Sequence, residues 1–288
     1  MRNAARLRFE RAGTFTTAEL GRAATRALYD ELVLSPKPGL VTLTDRGSHS
    51  DMDAQMFMRS LFSLRHYFSQ IAQAGHDGAD FAGLERLGIE AEVRMLAATG
   101  GVNTHRGAIF MLGLLCASAG AVLRESGSLA QPNEIRESLQ RNWGAALEKR
   151  CGRVSSLPGG MAAHRYGLRS ASQEAALGFP VLFETAVPAL TAALARGLSP
   201  QQARLDTLFH IMAVLDDSNL AHRGGIAGLY FGQASAQQFI QEGGAGAIDG
   251  IRKVEAIARE FVARRLSPGG AADTLSAACW LVRLHMRP

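Results

Sequence analysis

The stretch FMRSLFSLRHYFSQI, residues 57–71, decides the fold class. Its apolar residues recur at spacings of four, three, four and three, at Phe57, Leu61, Leu64, Phe68 and Ile71. That spacing places all five side chains on one face of an α-helix. We therefore predict a helix over residues 57–71 that buries this face.

The rest of the chain repeats the helical pattern. The further predicted helices cover residues 81–98, 109–123, 135–149, 175–195, 203–215, 251–266 and 272–285. Pro180 and Pro188 are expected to break or kink the segment 175–195, because proline lacks an N–H and crowds the preceding turn. The chain has 47 Ala against 10 Ile and 12 Val, a balance that favours helices over strands. We predict an all-α multi-helix bundle.

Composition excludes several classes of protein. The chain of 288 residues is 47% hydrophobic and 20% charged, with a formal net charge of +5, so it is not a disordered chain. Its basic residues form no stripe and only 7% of its residues are aromatic, which argues against nucleic-acid binding. No repeat or linker marks a boundary. We expect a flexible basic N-terminus over residues 1–14 and one all-α catalytic domain over residues 15–288.

The cysteines and the apolar segments predict the cellular compartment of the protein. Cys116, Cys151 and Cys279 are too few and too scattered for a disulfide framework, which favours the cytoplasm. The N-terminus has arginines but no apolar run behind them, unlike a secretory signal. Residues 107–123, the longest apolar stretch, fall short of the ~20 residues that a membrane span needs, so we predict a buried core helix and no membrane association. The sequence is compatible with an oligomer.

Segments rich in polar residues, glycine and proline lie beside the apolar helices and predict an active site in the connecting loops. In SPKPGLV, residues 35–41, Lys37 lies between two prolines that fix the backbone. A rigidly displayed lysine suits a phosphate, and the alternative is a turn with an exposed lysine.

The segment DRGSHSDMD, residues 45–53, collects Asp45, His49, Asp51 and Asp53 directly before the predicted helix over 57–71. Carboxylate oxygens are typical ligands of Mg²⁺, which commonly binds together with substrate phosphates. Helix capping explains one of these aspartates but not the whole cluster.

The segment GGVNTHRG, residues 100–107, predicts an anion site. Asn103 or Thr104 is the expected N-cap, which directs free N–H groups, His105 and Arg106 at whatever lies before the helix.

The segment DDSNLAHRGG, residues 216–225, follows the predicted helix that ends at Leu215. Adjacent acids at a helix C-terminus oppose the helix dipole, so Asp216 and Asp217 are expected to serve a cation, a proton or a partner. Arg223, Gly224 and Gly225 then offer a guanidinium and open backbone for phosphate.

The segment SPGGAADTL, residues 267–275, opens the last predicted helix with Gly269, Gly270 and an early Asp273. Plain helix capping explains about half of this pattern.

These motifs, in this order, resemble the triphosphoribosyl-dephospho-CoA synthase family. The matching segments are SPKPGLV, GSHSDMD, GVNTHRGAIFMLG, the GFP turn at residues 178–180, DDSNLAHRGG and SPGGAAD. The resemblance implies an all-α enzyme that takes ATP and 3'-dephospho-CoA, makes 2'-(5''-triphosphoribosyl)-3'-dephospho-CoA and releases adenine. It also implies that the product goes on to an acyl carrier protein subunit of malonate decarboxylase or citrate lyase, and the GSHSDMD text favours malonate decarboxylase.

The resemblance also implies roles for residues. Lys37, Arg106 and Arg223 would hold phosphates. Asp51, Asp53 and one of Asp216 and Asp217, with Asp217 the expected ligand, would bind Mg²⁺ with ATP as substrate. The other of that pair would be the base, and His105 or His49 would transfer a proton. Further substrate contacts are expected from Asn103, Asn219, Gly224, Gly225, Gly269 and Gly270.

Two other functions compete. The His76-Asp77 dipeptide is compatible with an HD-type metal-dependent phosphohydrolase, also all-α. A non-catalytic helical module that binds a nucleotide without consuming it is the second.

Overall fold

The computed structural model describes residues 15–128, 131–153 and 155–285. The N-terminus predicted to be flexible, residues 1–14, lies outside them. Within the described ranges the chain forms helices and no strand, which confirms the all-α prediction. The α-helices are α1 (Thr17–Leu32), α2 (Ala54–Leu64), α3 (Tyr67–His76), α4 (Phe81–Thr99), α5 (Arg106–Ser126), α6 (Pro132–Cys151), α7 (Pro158–Tyr166), α8 (Ala171–Ala176), α9 (Val187–Ala195), α10 (Pro200–Val214), α11 (Ser218–Gln241), α12 (Gly250–Ala263) and α13 (Gly269–His285).

Two helices, α5 and α13, form the centre of the bundle. Both are apolar around most of their circumference, as expected of helices enclosed by others. Helices α1, α3, α4, α6, α10 and α11 pack around this pair. One continuous hydrophobic core joins residues from α1 to α13.

Helix α5 is long and apolar enough to cross a membrane by length and composition. The prediction that its apolar stretch is too short to span is therefore wrong, since the helix has 21 residues. Its most apolar window is 78% buried inside the fold, which is typical of a core helix and agrees with the predicted position.

The predicted helix over residues 57–71 is two helices in the structure. Helix α2 ends at Leu64 and α3 begins at Tyr67, with a break at residues 65–66. The apolar face is kept, because Leu61, Leu64, Phe68 and Ile71 are buried. The break aims α3 along α5, where Gly75 and Gly120 let the two backbones touch: a Cβ at either glycine would lie 2.0 Å from a carbonyl oxygen of the facing helix.

The predicted helix over residues 175–195 is divided as its prolines suggested. Helix α8 ends at Ala176, and Pro180 precedes a π-helical segment, Val181–Ala186, that runs into α9. Pro188 is in the first turn of α9, where its missing N–H is tolerated.

Candidate active site

The main cavity has a volume of about 1220 Å³ and lies where five helices begin. The first turns of α5, α7, α8, α11 and α13 all line it. A helix N-terminus carries a partial positive charge, which attracts anions. The cavity is larger than the pockets of about 300–1,000 Å³ that typically bind small molecules. It therefore suits large, negatively charged ligands.

The structure brings most of the predicted site residues to this cavity. Those that line it are His49, Asp51, Asn103, His105, Arg106, Asn219, Arg223, Gly269 and Gly270. Those that do not are Lys37, Asp53, Asp216, Asp217, Gly224 and Gly225.

At the start of α5, a chain of polar contacts fixes His105. Asn103 Oδ1 accepts the N–H of Arg106 at 3.1 Å, so the Asn103 side chain caps the helix as predicted, although His105 is the N-cap residue. The Thr104 hydroxyl donates to Ser60 Oγ at 2.7 Å, and Ser60 Oγ lies 2.6 Å from His105 Nδ1. When the Ser60 hydroxyl donates to Nδ1, the imidazole proton is on Nε2.

His105 is a neutral imidazole at physiological pH. It is buried, and the ring edge of Phe57 lies against it with 5.0 Å between centroids. Burial, and then the nearby charge of Lys37, lower the pKa of His105 to about 4. A neutral ring with a proton on Nε2 donates a hydrogen bond without carrying a charge.

Arg106 is held by an ion pair with α4. Its Nε donates to Glu92 Oε1 at 2.6 Å, and both side chains are partly buried. The pair fixes the guanidinium at the cavity wall and offsets its charge, so Arg106 is a weaker phosphate ligand than the sequence predicted.

The interpretation of Asp217 at a helix C-terminus is wrong. Helix α10 ends at Val214, and Asp217 is the N-cap of α11, where the dipole favours an anion. One carboxylate oxygen accepts the N–H groups of Asn219 and Leu220, and the other accepts that of Ala271 at 3.0 Å. With both oxygens occupied and the residue buried, Asp217 holds two helix starts together and does not face the cavity.

Asp216 lies in a smaller cavity of about 490 Å³ that adjoins the main one, since both are lined by Cys151, Gly167, Leu168 and Gln173. Its Oδ2 accepts the N–H of Arg169 at 3.1 Å. The carboxylate is therefore held beside the main cavity and not in its lining.

Lys37 is buried, contrary to both interpretations of its motif. Its ammonium lies 2.5 Å from Glu31 Oε1 and donates to the Glu31 carbonyl at 2.7 Å. Burial lowers the pKa of Lys37, while the Glu31 charge raises it. The rigid SPKP backbone thus holds a buried ion pair behind the cavity instead of displaying a lysine to a phosphate.

The predicted protein ligands of Mg²⁺ are not assembled. Asp53 caps α2 through the N–H of Met56 and pairs with Arg46 at 3.1 Å, whereas Asp51 is exposed. Over the ranges that the structure describes, no group of three or more His, Cys, Asp or Glu residues is placed to hold a metal. The prediction of Mg²⁺ with ATP stays a prediction, because Mg²⁺ often binds mainly through substrate phosphates and water.

Arg223 forms a cationic corner of the cavity, with His49 beside it. Arg223 donates to the carbonyls of Arg265, at 2.7 Å, and Ser48, and across the described ranges no carboxylate lies within 4 Å of its guanidinium. His49 Nε2 lies 2.9 Å from Ser267 Oγ, whereas its buried Nδ1 has no hydrogen-bond partner and lies 3.9 Å from Asp51 Oδ1. Burial and the Arg223 charge lower the pKa of His49. A ligand with acceptor oxygens or a hydroxyl would satisfy both groups.

The glycines divide into two pairs. Gly224 packs against Leu266, where a Cβ would lie 2.5 Å from a methyl group, and Gly225 kinks α11 with a φ of 65°. These two do not line the cavity, where phosphate binding was predicted. Gly269 and Gly270 begin α13 at the cavity wall, where a Cβ would lie 2.9 Å from Asn219 Nδ2 and 3.2 Å from Asp217 Oδ2 respectively, so both glycines allow a close approach of these side chains.

Sequence reasoning missed several cavity residues. They are Glu31, Glu85, Glu92, Arg150, Arg153, Ser155, His164, Ser170, Ser218 and His222. The capping box Ser170-x-x-Gln173 does mark the start of α8 in the sequence. Arg150 and Arg153 come at the end of a predicted helix without any local signal, because only the tertiary fold turns them toward α4.

Asp273 is a half-buried carboxyl group in the cavity wall. It lies against Gly107, where a Cβ would be 1.9 Å from Oδ2. Burial, followed by the charges of Glu31 and Asp217, raises the pKa of Asp273 well above its ordinary value, opposed by the Ala108 N–H. No Lys, Arg or His lies within ion-pair distance in the described part of the chain. The sequence signalled this residue only as half explained by capping.

The dipeptide that suggested a phosphohydrolase is on the surface. His76 Nδ1 lies 3.3 Å from Asp77 Oδ1 at the end of α3, and both side chains are exposed outside the cavity.

The fold and the cavity define an α-helical protein that receives large anionic ligands at converging helix N-termini. Residues 17–287 match the model of the CitG family, ATP:dephospho-CoA triphosphoribosyl transferase, and the chain belongs to this family. It is a transferase of the class that the sequence resemblance implied.

Relatives support the same assignment. The chain is 37% identical over 287 residues to the 2-(5''-triphosphoribosyl)-3'-dephosphocoenzyme-A synthase of Klebsiella pneumoniae, covering 97% of this chain and 94% of the relative. It is 36% identical over 262 residues to a probable enzyme of that name from Acinetobacter calcoaceticus, covering 91% and 89%. A probable Vibrio cholerae enzyme of that name is 38% identical, with 93% and 89% covered. No solved structure matches the chain.

Proposed function

We propose that the protein transfers the 5''-triphosphoribosyl group of ATP to the 2'-hydroxyl of 3'-dephospho-CoA and releases adenine. The observation that carries the proposal is the convergence of five helix N-termini on one cavity of about 1220 Å³. Both substrates are polyanions, and together they need more room than one nucleotide. Membership of the family supports the same reaction.

The cationic corner binds the triphosphate in this proposal. Arg223 is held by backbone carbonyls and has no carboxylate within 4 Å in the described ranges, so its charge can attract an anion, and Gly269 and Gly270 at the start of α13 line the same cavity. His49 Nδ1 would gain its missing hydrogen-bond partner.

The transfer exchanges one bond for another at C1''. The bond from the acceptor 2'-oxygen to C1'' forms while the bond from C1'' to the adenine nitrogen breaks. Nucleotide ribose has the β configuration and the family product has the α linkage, which fits one inverting displacement through an oxocarbenium-like state, as in inverting glycosidases. The hydroxyl proton must go to a base, and the departing adenine must receive a proton or a hydrogen bond.

We infer that Asp273 accepts the hydroxyl proton. The cavity-lining carboxyl groups are Glu31, Asp51, Glu85, Glu92 and Asp273. Glu31, Glu85 and Glu92 form ion pairs with protein cations, and Asp51 is exposed beside the cationic corner. Asp273 is half-buried and has no such partner in the described part of the chain. A raised pKa also makes its carboxylate a stronger base.

His105 assists the departing adenine in this scheme. The Thr104–Ser60 hydroxyl chain keeps Nε2 protonated, so the ring donates a hydrogen bond to a purine nitrogen as negative charge develops there. Because its pKa is about 4, the ring acts as a neutral donor and not as an imidazolium acid.

The finer assignments rest on the sequence. The GSHSDMD text favours the malonate decarboxylase system over citrate lyase, with an acyl carrier protein subunit as the eventual recipient, and the cysteine content favours the cytoplasm. Incubating the product with each apo acyl carrier subunit and its transferase, followed by mass measurement, tests this choice.

Mass spectrometry tests the reaction itself. The purified protein is incubated with ATP, Mg²⁺ and 3'-dephospho-CoA, and adenine is expected in equal amount to a product heavier by one triphosphoribosyl group. ADP, AMP or phosphate in place of adenine would indicate a phosphohydrolase. Binding of both nucleotides without consumption would indicate a non-catalytic module, and either result contradicts the proposal.

A further inference from the structure

An apolar groove leads away from the start of α5, between α4 and α5. At its inner end Arg106 of α5 pairs with Glu92 of α4. At its outer end the Arg150 guanidinium pairs with Glu85 of α4 and lies over the Phe110 ring of α5, with 5.6 Å to the centroid. The two helices therefore run antiparallel along the groove.

The length of the groove follows from helix geometry. Glu92 and Glu85 are seven residues apart on α4, which is about 10 Å along the axis. The cavity lining on α5 extends from Arg106 to Leu114, about 12 Å. The groove is thus about two helical turns long, more than a single flat base covers.

The walls of the groove are apolar and its outer end is cationic. Phe81, Leu84 and Ile89 of α4 face Phe110 and Leu114 of α5 across the cavity. Ile89 is 58% exposed, an unusual position for a large aliphatic side chain that lines a cavity. Arg150 and Arg153 share Glu85 at the far end, and Cys151 lies beside them.

We propose that this groove binds the pantetheine arm of 3'-dephospho-CoA, an inference that rests on the proposed function. The acceptor reacts through its ribose at the polar end of the cavity, so the rest of the molecule must lie in space continuous with that end. Its arm is a long chain of methylene, methyl and amide groups that ends in a thiol. A narrow apolar groove with guanidinium donors at its outer end matches that chemistry, whereas ATP has no such chain.

Two exposed residues on α4 provide a matched test. Ile89 and Val93 are one turn apart and are 58% and 61% exposed, but only Ile89 lines the cavity. We expect Ile89→Asp to weaken binding of dephospho-CoA about tenfold or more, through lost apolar contact and an unfavourable charge. Val93→Asp should not change it. Binding of ATP, measured separately by calorimetry, should be unchanged in both variants.

A second variant keeps the test sound if Ile89→Asp does not fold. Gly88 lines the groove, and a Cβ there would meet only the Tyr67 hydroxyl at an ordinary 3.7 Å, so Gly88→Val fills groove space without a backbone clash. It too should weaken dephospho-CoA binding and leave ATP binding unchanged. Unaltered dephospho-CoA binding in the folded variants overturns the inference. Weakened ATP binding with unaltered dephospho-CoA binding also overturns it, because that result would place ATP in the groove.

A chemical probe reports on the same placement. Dephospho-CoA activated as its pyridyl disulfide should form a mixed disulfide with Cys151, whose thiolate displaces thiopyridone. Excess S-methyl dephospho-CoA, which has no free thiol, should block labelling, whereas excess ATP should not. The reaction is run at mildly alkaline pH because burial raises the pKa of the Cys151 thiol. Labelling that excess S-methyl dephospho-CoA does not block argues against the groove. Failure of adenine release by an enzyme that still binds dephospho-CoA through the groove would contradict the proposed function and leave this inference intact.

Discussion

The carboxylate of Asp217 accepts the backbone N–H of Ala271 at 3.0 Å, which joins the start of α11 to the start of α13. The same carboxylate caps its own helix through Asn219 and Leu220. One buried side chain therefore satisfies unpaired N–H groups of two helices whose first turns line the active-site cavity. Its position explains an acid in the DDSN motif through architecture and not through metal binding.

The first prediction concerns this double cap. Asp217→Ala should lower the free energy of unfolding by about 2–4 kcal/mol, since it removes an N-cap and leaves a buried donor unpaired. Asp216→Ala, which removes one partly exposed hydrogen bond, should cost less than about 1.5 kcal/mol. Denaturant unfolding of both variants measures the difference. Equal stability of the two variants would argue against the double cap.

The second prediction concerns the buried pair behind the cavity. Lys37→Met should destabilise the fold by about 3–5 kcal/mol, because it leaves the buried Glu31 carboxylate without its cation. The double variant Glu31→Leu with Lys37→Met should recover much of that loss, since an apolar pair replaces the ion pair. Thermal unfolding of the single and double variants provides the measurement. A stable Lys37→Met variant with weakened ATP binding would instead restore the phosphate-binding role.

Much of the fold was readable from the sequence, and the omissions have physical reasons. Periodic apolar spacing located α4, α5, α6, α10, α12 and α13. Helix α11 was missed because two glycines and a charged segment hide its periodicity, and its kink at Gly225 breaks the pattern. The break after Leu64 was missed because the apolar face continues across it.

The sequence predicted which residues lie at the site better than it predicted what each residue does. Short motifs identify polar residues near helix starts, so His49, His105 and Arg223 were found. Which carboxylate faces the cavity depends on helix ends and on packing between distant segments. Because no helix was predicted after Leu215, Asp217 was assigned to the C-terminus of the preceding helix and not to the N-terminus of α11, which reversed its interpretation.

The third prediction concerns phosphate binding at Arg223. Arg223→Gln should raise the KM for ATP about tenfold or more, because it removes a charged donor that is free for an anion. Arg65→Gln is the control: Arg65 also donates to a carbonyl, that of Phe62 at 2.8 Å, but lies outside the cavity. Steady-state kinetics of adenine release compares them. An unchanged KM for ATP in Arg223→Gln would exclude this corner as the triphosphate site.

The fourth prediction concerns the hydroxyl that orients His105. Ser60→Ala should lower kcat more than it changes the KM of either substrate, because the ring loses the contact that keeps its proton on Nε2. Ser63→Ala removes a nearby hydroxyl that bonds only to the Ser60 carbonyl and should have little effect. A raised KM for either substrate with an unchanged kcat would show that Ser60 shapes the substrate site instead.

The last prediction tests Asp273 as the base through pH. A base works when ionised, so activity should rise with pH through the raised pKa of Asp273, and Asp273→Asn should lose that limb and about 10²-fold or more in kcat. The charges of Glu31 and Asp217 and the N–H of Ala108 act on this carboxyl group. Because the Glu31 charge raises the pKa of Asp273, Glu31→Gln should move the limb to lower pH in the folded enzyme.

The effect of Asp273 on stability has the opposite sign from its effect on activity. A group whose pKa is raised by folding stabilises the native state at acid pH, and this contribution is lost as pH rises through the raised pKa. Asp273→Asn cannot ionise, so its stability relative to the wild type should improve with rising pH while its activity does not. Unfolding and adenine release measured over the same pH range decide the matter. A variant that loses activity only in proportion to its unfolded fraction, with the pH limb intact, would show that Asp273 is structural.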